Sequence, residues 1–269
     1  MVKAVFIDYM GTTVDEHSPE MAEIVHRIGK KSSLHDPRQV QRFILETRRR
    51  YEADSYLDTY LTEDEIVTRL ILDMEAQIEL RDDPAVLCDL IHSHWVNAPL
   101  FPDARTFFDQ CSVPIYIITN NGLPYMEQAL RHNGLKAAGV VSADTARAYK
   151  PRREIFDEAL RVSGYTPDEV VHIGDSYDTD VVGAHSAGIR PVLLLRERER
   201  QNGAVDKVQN KAAQMSGDLT KRAKKTPRKR QLAACIILFR FIAVAERRQW
   251  SSAASKPRRK RYLKLCPRF

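Results

Sequence analysis

Five short apolar runs, at residues 3–8, 114–119, 139–142, 169–174 and 191–195, recur between segments with helical spacing. Near-continuous apolar strands alternating with helices are the rhythm of a parallel sheet covered on both faces. The expected fold class is therefore α/β, with a Rossmann-like parallel-sheet core. Residues 18–97 break the rhythm. They hold no strand-like run, and apolar residues recur at helical spacing, as in Ile24 and Ile28, or Val67, Leu70, Ile71 and Met74. This reads as an α-helical insertion of about 80 residues between the first strand and the rest. The division is then 1–17 with 98–200 as the α/β core, 18–97 as the helical insertion, and 201–269 as a basic tail. Phe101-Pro102-Asp103 marks the return to the core.

Open parallel sheets bind ligands at the C-terminal ends of their strands, and polar residues collect there in this chain. The first run, Lys3-Ala-Val-Phe-Ile-Asp8, delivers one aspartate, followed by Tyr-Met-Gly11-Thr12. A carboxylate at a strand end, beside the free N–H groups of a tight turn, suits a covalent nucleophile. Gly11 and Thr12 would then face the substrate. The second run ends in Thr119 and Asn120, a hydroxyl and an amide suited to an anion. Tyr149-Lys150-Pro151 sets a lysine before a helix-like segment, Arg153 to Val162. The fourth run ends in Gly174-Asp175, with Asp180 five residues on. A plain solvated salt bridge at a helix start is the alternative for Lys150 and for Asp180.

In order and spacing, these four stretches resemble the four motifs of the haloacid dehalogenase (HAD) superfamily, over roughly residues 1–196. The resemblance implies that Asp8 is the nucleophile and that Thr119 and Lys150 are catalytic groups holding the phosphoryl oxygens with Asn120. It implies a Mg²⁺ cofactor on Asp8, Asp175 and the backbone carbonyl of Met10. Mg²⁺ prefers such sets of one or two carboxylates with waters and substrate oxygens. Asp180 would orient waters or Lys150 from behind. The helical insertion would be a mobile cap that selects the substrate. The expected activity is that of a hydrolase acting on a small phosphorylated metabolite through an aspartyl-phosphate intermediate.

Met10 departs from the pattern. Phosphatases of the superfamily usually carry an aspartate two residues after the nucleophile, which protonates the leaving group. A thioether transfers no proton, and general acid–base catalysis typically contributes ~10²–10⁴-fold. Two alternatives follow: a weakly active or non-catalytic binding module, or a dehalogenase- or phosphonatase-type hydrolase. Dehalogenases typically lack the Gly-Asp pair found at Gly174-Asp175. Phosphonatases need a Schiff-base lysine from the cap, where only Lys30 and Lys31 occur. Arg48, Arg49 and Arg50 are an anion clamp over the pocket, a counterpart of the dehalogenase cap arginine, or a solvated helix face. His92 and His94, two apart on a helix, face different ways and read as structural.

Charge divides the chain. Residues 201–269 hold 19 Lys and Arg against 3 Asp and Glu, while residues 1–200 hold 23 against 33. The net +6 thus sums an acidic body and a strongly basic tail. The acidic body suits no nucleic acid, and the resemblance implies a small-molecule substrate for it. The 14-residue apolar run Leu232–Ala245 is shorter than the ~20 residues that cross a bilayer. Flanked by cations, it suits an anionic membrane surface or nucleic acid; a disordered or non-native tail is the expected reading. Four scattered cysteines, Cys88, Cys111, Cys235 and Cys266, make no metal or disulfide spacing, and no secretory signal precedes Asp8. Both point to a cytoplasmic protein.

Overall fold

The computed structural model describes residues 1–196; the tail reading lies outside the described residues. A five-stranded sheet forms from β1 (Ala4–Ile7), β2 (Ile115–Thr119), β3 (Gly139–Ser142), β4 (Val170–Gly174) and β5 (Arg190–Leu193). All pairings are parallel and the order is β3-β2-β1-β4-β5. The strands match the five apolar runs, with ends shifted by up to two residues. Central β1 and β4 are buried throughout, as their unbroken apolar composition requires. Pro191 falls on the edge strand β5, where a missing N–H is tolerated.

Four helices separate β1 from β2: α1 (Pro19–Lys31), α2 (Pro37–Asp54), α3 (Glu63–Gln77) and α4 (Pro84–Asn97). Their starts are written in the sequence. Ser18, Asp36 and Asp83 each cap a helix whose first residue is proline, and Thr62 with Glu65 forms a capping box. These helices share an apolar core of their own, including Ile24, Ile28, Val40, Leu70, Leu87 and Trp95. A second cluster, with Phe6, Ile118, Val141, Ile155 and Phe156, packs one face of the sheet.

The chain returns through α5 (Pro102–Gln110), and α6 (Leu123–Asn133) follows β2. A single turn of helix, α7 (Ala143–Ala146), follows β3. Beyond it, α8 (Arg153–Ser163) covers the sheet, and α9 (Val182–Ser186) leads into β5. The helical layer docks on this core through apolar contacts, Ile66 with Ala143 and Tyr149 and Trp95 with Tyr125, and through hydrogen bonds. The Tyr149 hydroxyl donates to the Leu61 carbonyl (2.9 Å), Tyr60 to Asp144 (2.7 Å), Tyr125 to Asp64 (2.7 Å), and Arg152 to the Ala53 carbonyl (2.7 Å). No helix among the described residues is long and apolar enough to cross a membrane.

Candidate active site

The ends of β1, β2 and β4 bring the sequence-defined residues together. Ile7 pairs with Ile117 and Ile173, so the residues that follow each strand emerge side by side. Asp8 extends the ladder by donating its N–H to the Ile173 carbonyl (2.8 Å) before the chain turns. The turn is held by the Thr13 and Val14 N–H groups on the Tyr9 carbonyl (2.8 and 3.0 Å) and by the Thr13 hydroxyl on the Asp8 carbonyl (2.7 Å). Gly11 has φ +81°, and a Cβ there would stand 2.4 Å from Asp175 Oδ2. Only glycine allows both the left-handed backbone and the approach of that carboxylate.

Three carboxylates meet at this point. Ligand oxygens of Asp8, Asp175 and Asp180 all lie within 4.8 Å of one another. The buried Thr12 hydroxyl lies between the first two, 2.9 Å from Asp8 Oδ2 and 3.0 Å from Asp175 Oδ1. Lys150 Nζ donates to Asp8 Oδ1 (2.6 Å) and to Asp180 Oδ1 (2.7 Å), and all three groups are buried. Its backbone is fixed by Asn120, whose Oδ1 accepts the Lys150 N–H (2.7 Å) and whose Nδ2 reaches the Lys150 carbonyl (3.4 Å). Asn120 was expected among the substrate-binding groups; its side chain is committed to positioning Lys150. Met10 is half-buried in the turn between Asp8 and Gly11.

Asp180 is saturated. Besides Lys150 it takes His172 Nε2 on Oδ1 (2.9 Å) and the Ser176 N–H on Oδ2 (3.1 Å). It crowds Gly174, where a Cβ would lie 2.2 Å from its side chain, so this glycine also serves close approach. Burial pushes the Asp180 carboxyl up, but Lys150 and His172 hold it well below the usual carboxylate range. Burial likewise works against the Lys150 ammonium, and Asp180 and Asp8 more than offset it, so the lysine stays charged. Asp8 is pushed up by burial, against the pull of Lys150. Asp175 is held well above its ordinary value by burial and then by Asp8 and Asp180.

One buried ammonium faces three carboxylates, and the excess negative charge falls on Asp8 and Asp175. That donor set fits a hard divalent cation, which favours one or two carboxylates in such a site. The Asp180 oxygens are already occupied by Lys150, His172 and the Ser176 N–H.

Three residues of the site were not anticipated. His172 is fully buried on β4 with its Nδ1 unpartnered, an imidazole inside an otherwise apolar strand. Asn121 is buried behind Thr119, whose hydroxyl donates to Asn121 Oδ1 (3.0 Å). Glu63, at the first turn of α3, is buried against both Asn121 and Gly122. The histidine in an apolar run was a legible signal; the other two depend on how the helical layer docks.

Arg48 to Arg50 do not act as a group. Arg48 pairs with Glu52 (2.8 Å), Arg50 with Asp73, and Arg49 lines a cavity of ≈ 360 Å³ together with Glu52, Tyr149, Lys150 and Arg152. Lys31 is paired with Asp82 (2.5 Å) at the end of α1. His94 is buried against the Ser18 hydroxyl (2.9 Å), and burial lowers it to about 4, so it is a neutral structural histidine. His92 contacts Asp64 (2.9 Å) and stacks on Tyr125.

The profile of the haloacid dehalogenase-like hydrolases matches residues 2–188. Haloacid dehalogenase-like hydrolase domain-containing protein 3 of Danio rerio is 31% identical over 140 residues, which are 48% of this chain and 57% of that protein. Glyceraldehyde 3-phosphate phosphatase of Methanothermobacter thermautotrophicus is 38% identical over 66 residues, 23% of this chain and 29% of the enzyme. The chain thus spans little more than half of the first relative and less than a third of the second. Among solved structures, the L-2-haloacid dehalogenase of Xanthobacter autotrophicus superposes with TM-score 0.59 at 21% identity, over 77% of this chain and 83% of that one. The HAD-hydrolase YfnB of Bacillus subtilis, solved with magnesium bound, superposes with TM-score 0.58 at 19% identity, over 72% and 88%. At these identities the two structures speak for the fold.

Proposed function

Since this chain belongs to the haloacid dehalogenase-like hydrolases, we propose that it is a Mg²⁺-dependent phosphohydrolase of small metabolites that works through an aspartyl-phosphate on Asp8. The observation that carries this reading is the pairing of Asp175 with Asp8 under a shared Thr12 hydroxyl, with a single buried lysine to balance three carboxylates. Asp8, Asp175 and the Met10 carbonyl would hold the ion, which supplies charge neutralisation on the phosphoryl oxygens when bound. The archaeal phosphatase relative is consistent with a phosphorylated substrate.

In this reading Asp8 attacks phosphorus, a carboxylate O–P bond forms, and the ester P–O bond breaks. Lys150 holds Asp8 ionised and aimed, and it opposes the negative charge on the phosphoryl group together with the Thr119 hydroxyl. Water then cleaves the acyl phosphate and regenerates Asp8. Met10 stands where phosphatases of the superfamily usually carry an acid, so the departing oxygen leaves without a proton from that position. Turnover therefore favours leaving groups that are already good. Acyl phosphates and aryl phosphates should be hydrolysed well, and simple alkyl phosphates ~10²–10⁴-fold more slowly. The test is a panel of acetyl phosphate, para-nitrophenyl phosphate and glycerol phosphate assayed in MgCl₂ and in excess chelator. Equal rates with and without metal, or release of halide from 2-chloropropionate, would overturn the assignment.

A further inference from the structure

Glu63 is a buried acid that the proposed chemistry does not use, and it reaches from the helical layer to the phosphate-binding strand end. Its Oε2 accepts the Gly122 N–H (2.7 Å), at the N-terminus of α6, where a glycine has no side chain to cap with. Its Oε1 accepts Asn121 Nδ2 (3.1 Å). Asn121 Oδ1 in turn accepts the Thr119 hydroxyl proton (3.0 Å), while the Asn121 N–H donates to Thr119 Oγ1 (3.1 Å). We propose that Glu63 is a positioning residue: through Asn121 it decides which way the Thr119 hydroxyl proton points, and so how well the site holds a tetrahedral oxyanion. The inference rests on the phosphoryl-transfer reading, since the oxyanion concerned is the phosphoryl group.

Donor and acceptor counting carries the argument. A carboxylate only accepts, so an ionised Glu63 requires the NH₂ end of Asn121 on its side. The carbonyl end then faces Thr119 and takes its single proton, turning the hydroxyl away from any substrate. With a proton on Oε1, Glu63 becomes a donor to Asn121. The amide turns over, presents Oδ1 to Glu63 and Nδ2 to Thr119. Oγ1 now receives two N–H groups, and its own proton is left for the site. Neutral Glu63 thus makes Thr119 a donor to the bound anion; ionised Glu63 withdraws it.

Both states are within reach of neutral pH, because burial pushes the Glu63 carboxyl up to about 8. The charged and titratable groups that face it are few. From α2, Arg48 favours the anion and Glu52 opposes it. Tyr125 of α6 and Tyr149 before Lys150 are held protonated by burial. Asp144 shares the same helix end through the Leu123 N–H (2.7 Å).

Tungstate is a suitable probe, as it remains a tetrahedral dianion across the pH range needed. Its affinity for the full chain in MgCl₂ is measured by calorimetry from pH 6.5 to 9.5. The wild-type protein should lose about ten-fold in affinity with a midpoint near Glu63's own, consistent with one hydrogen bond to a charged group. Glu63→Gln places a permanent donor on Asn121 and should bind as wild type does at pH 6.5, with no loss through that midpoint. Glu52→Gln removes the opposing charge and should move the wild-type midpoint to lower pH, a second readout should Glu63→Gln fold poorly. Parallel profiles in wild type and Glu63→Gln, or an unmoved midpoint in Glu52→Gln, overturn the proposal alone. Tungstate binding to no variant at any pH removes the oxyanion site, and with it both the phosphoryl reading and the proposal.

Discussion

Replacing Asp175 with asparagine should make the metal-free protein more stable while depriving it of its response to Mg²⁺. Asp175 has ligand oxygens within 4.8 Å of those of Asp8 and Asp180. At an effective dielectric of ~20, two unit charges at about that distance repel by roughly 3.5 kcal/mol. Lys150, seated 2.6 Å from Asp8 and 2.7 Å from Asp180, offsets about one of the two repulsions. Asp175 relieves part of the other by holding its proton above the usual carboxylate range. The Thr12 hydrogen bond survives in an amide. A gain of about 2 kcal/mol remains, or ~4–8 °C in Tm for a protein of this size. In the wild type, Mg²⁺ at 100 times its Kd should add about 2.7 kcal/mol, and in Asp175→Asn far less. Differential scanning calorimetry in chelator and in MgCl₂ reads both effects. A variant less stable than wild type in chelator, or equally stabilised by Mg²⁺, would refute the view that Asp175 is a crowded ligand.

Further outcomes follow from Met10 and Glu63. Met10→Asp should raise phosphomonoesterase activity most for basic leaving groups and least for aryl or acyl phosphates. Plots of log rate against leaving-group pKa should therefore be steep in the wild type and flatter in the variant; equal slopes would mean that protons arrive from elsewhere. Glu63, raised to about 8 in the folded state against an ordinary 4.5, charges later in the native protein than in the unfolded chain. Its contribution is nil below pH ~4.5 and becomes a growing penalty as pH rises to 8, reaching about 5 kcal/mol above it at most. Glu63→Gln should accordingly match wild type at pH 5 and exceed it at pH 9 in chemical denaturation; a constant difference would contradict the burial argument.

What was legible in the sequence was what local pattern encodes. Unbroken apolar runs gave the parallel strands, and their polar C-terminal residues are Asp8, Thr119 and Asp175. Proline after a capping residue marked α1, α2 and α4. The contacts of the helical layer were another matter. Glu63 sits between Thr62 and Asp64 in the acidic first turn of a capped helix, where acids normally face solvent and the dipole. Its contacts with Asn121 and Gly122 before α6, beside Arg48 and Glu52 of α2, go with its burial. Asn120 and Asn121 are adjacent and chemically identical, yet the backbone turn gives one to Lys150 and the other to Thr119 and Glu63. Three successive arginines on α2 lie ~100° apart around the helix, which is why Arg48, Arg49 and Arg50 find three different environments.

The central claim is a covalent bond between Asp8 and phosphorus. Quenching the protein during turnover of acetyl phosphate in MgCl₂, then reducing with borohydride, converts an aspartyl phosphate to homoserine. Peptide mass spectrometry should find that change at residue 8, absent without substrate and absent in Asp8→Asn, which should fold normally and be inactive. An unmodified Asp8 in a sample that turns over substrate, or an Asp8→Asn variant with wild-type rate, would contradict the account.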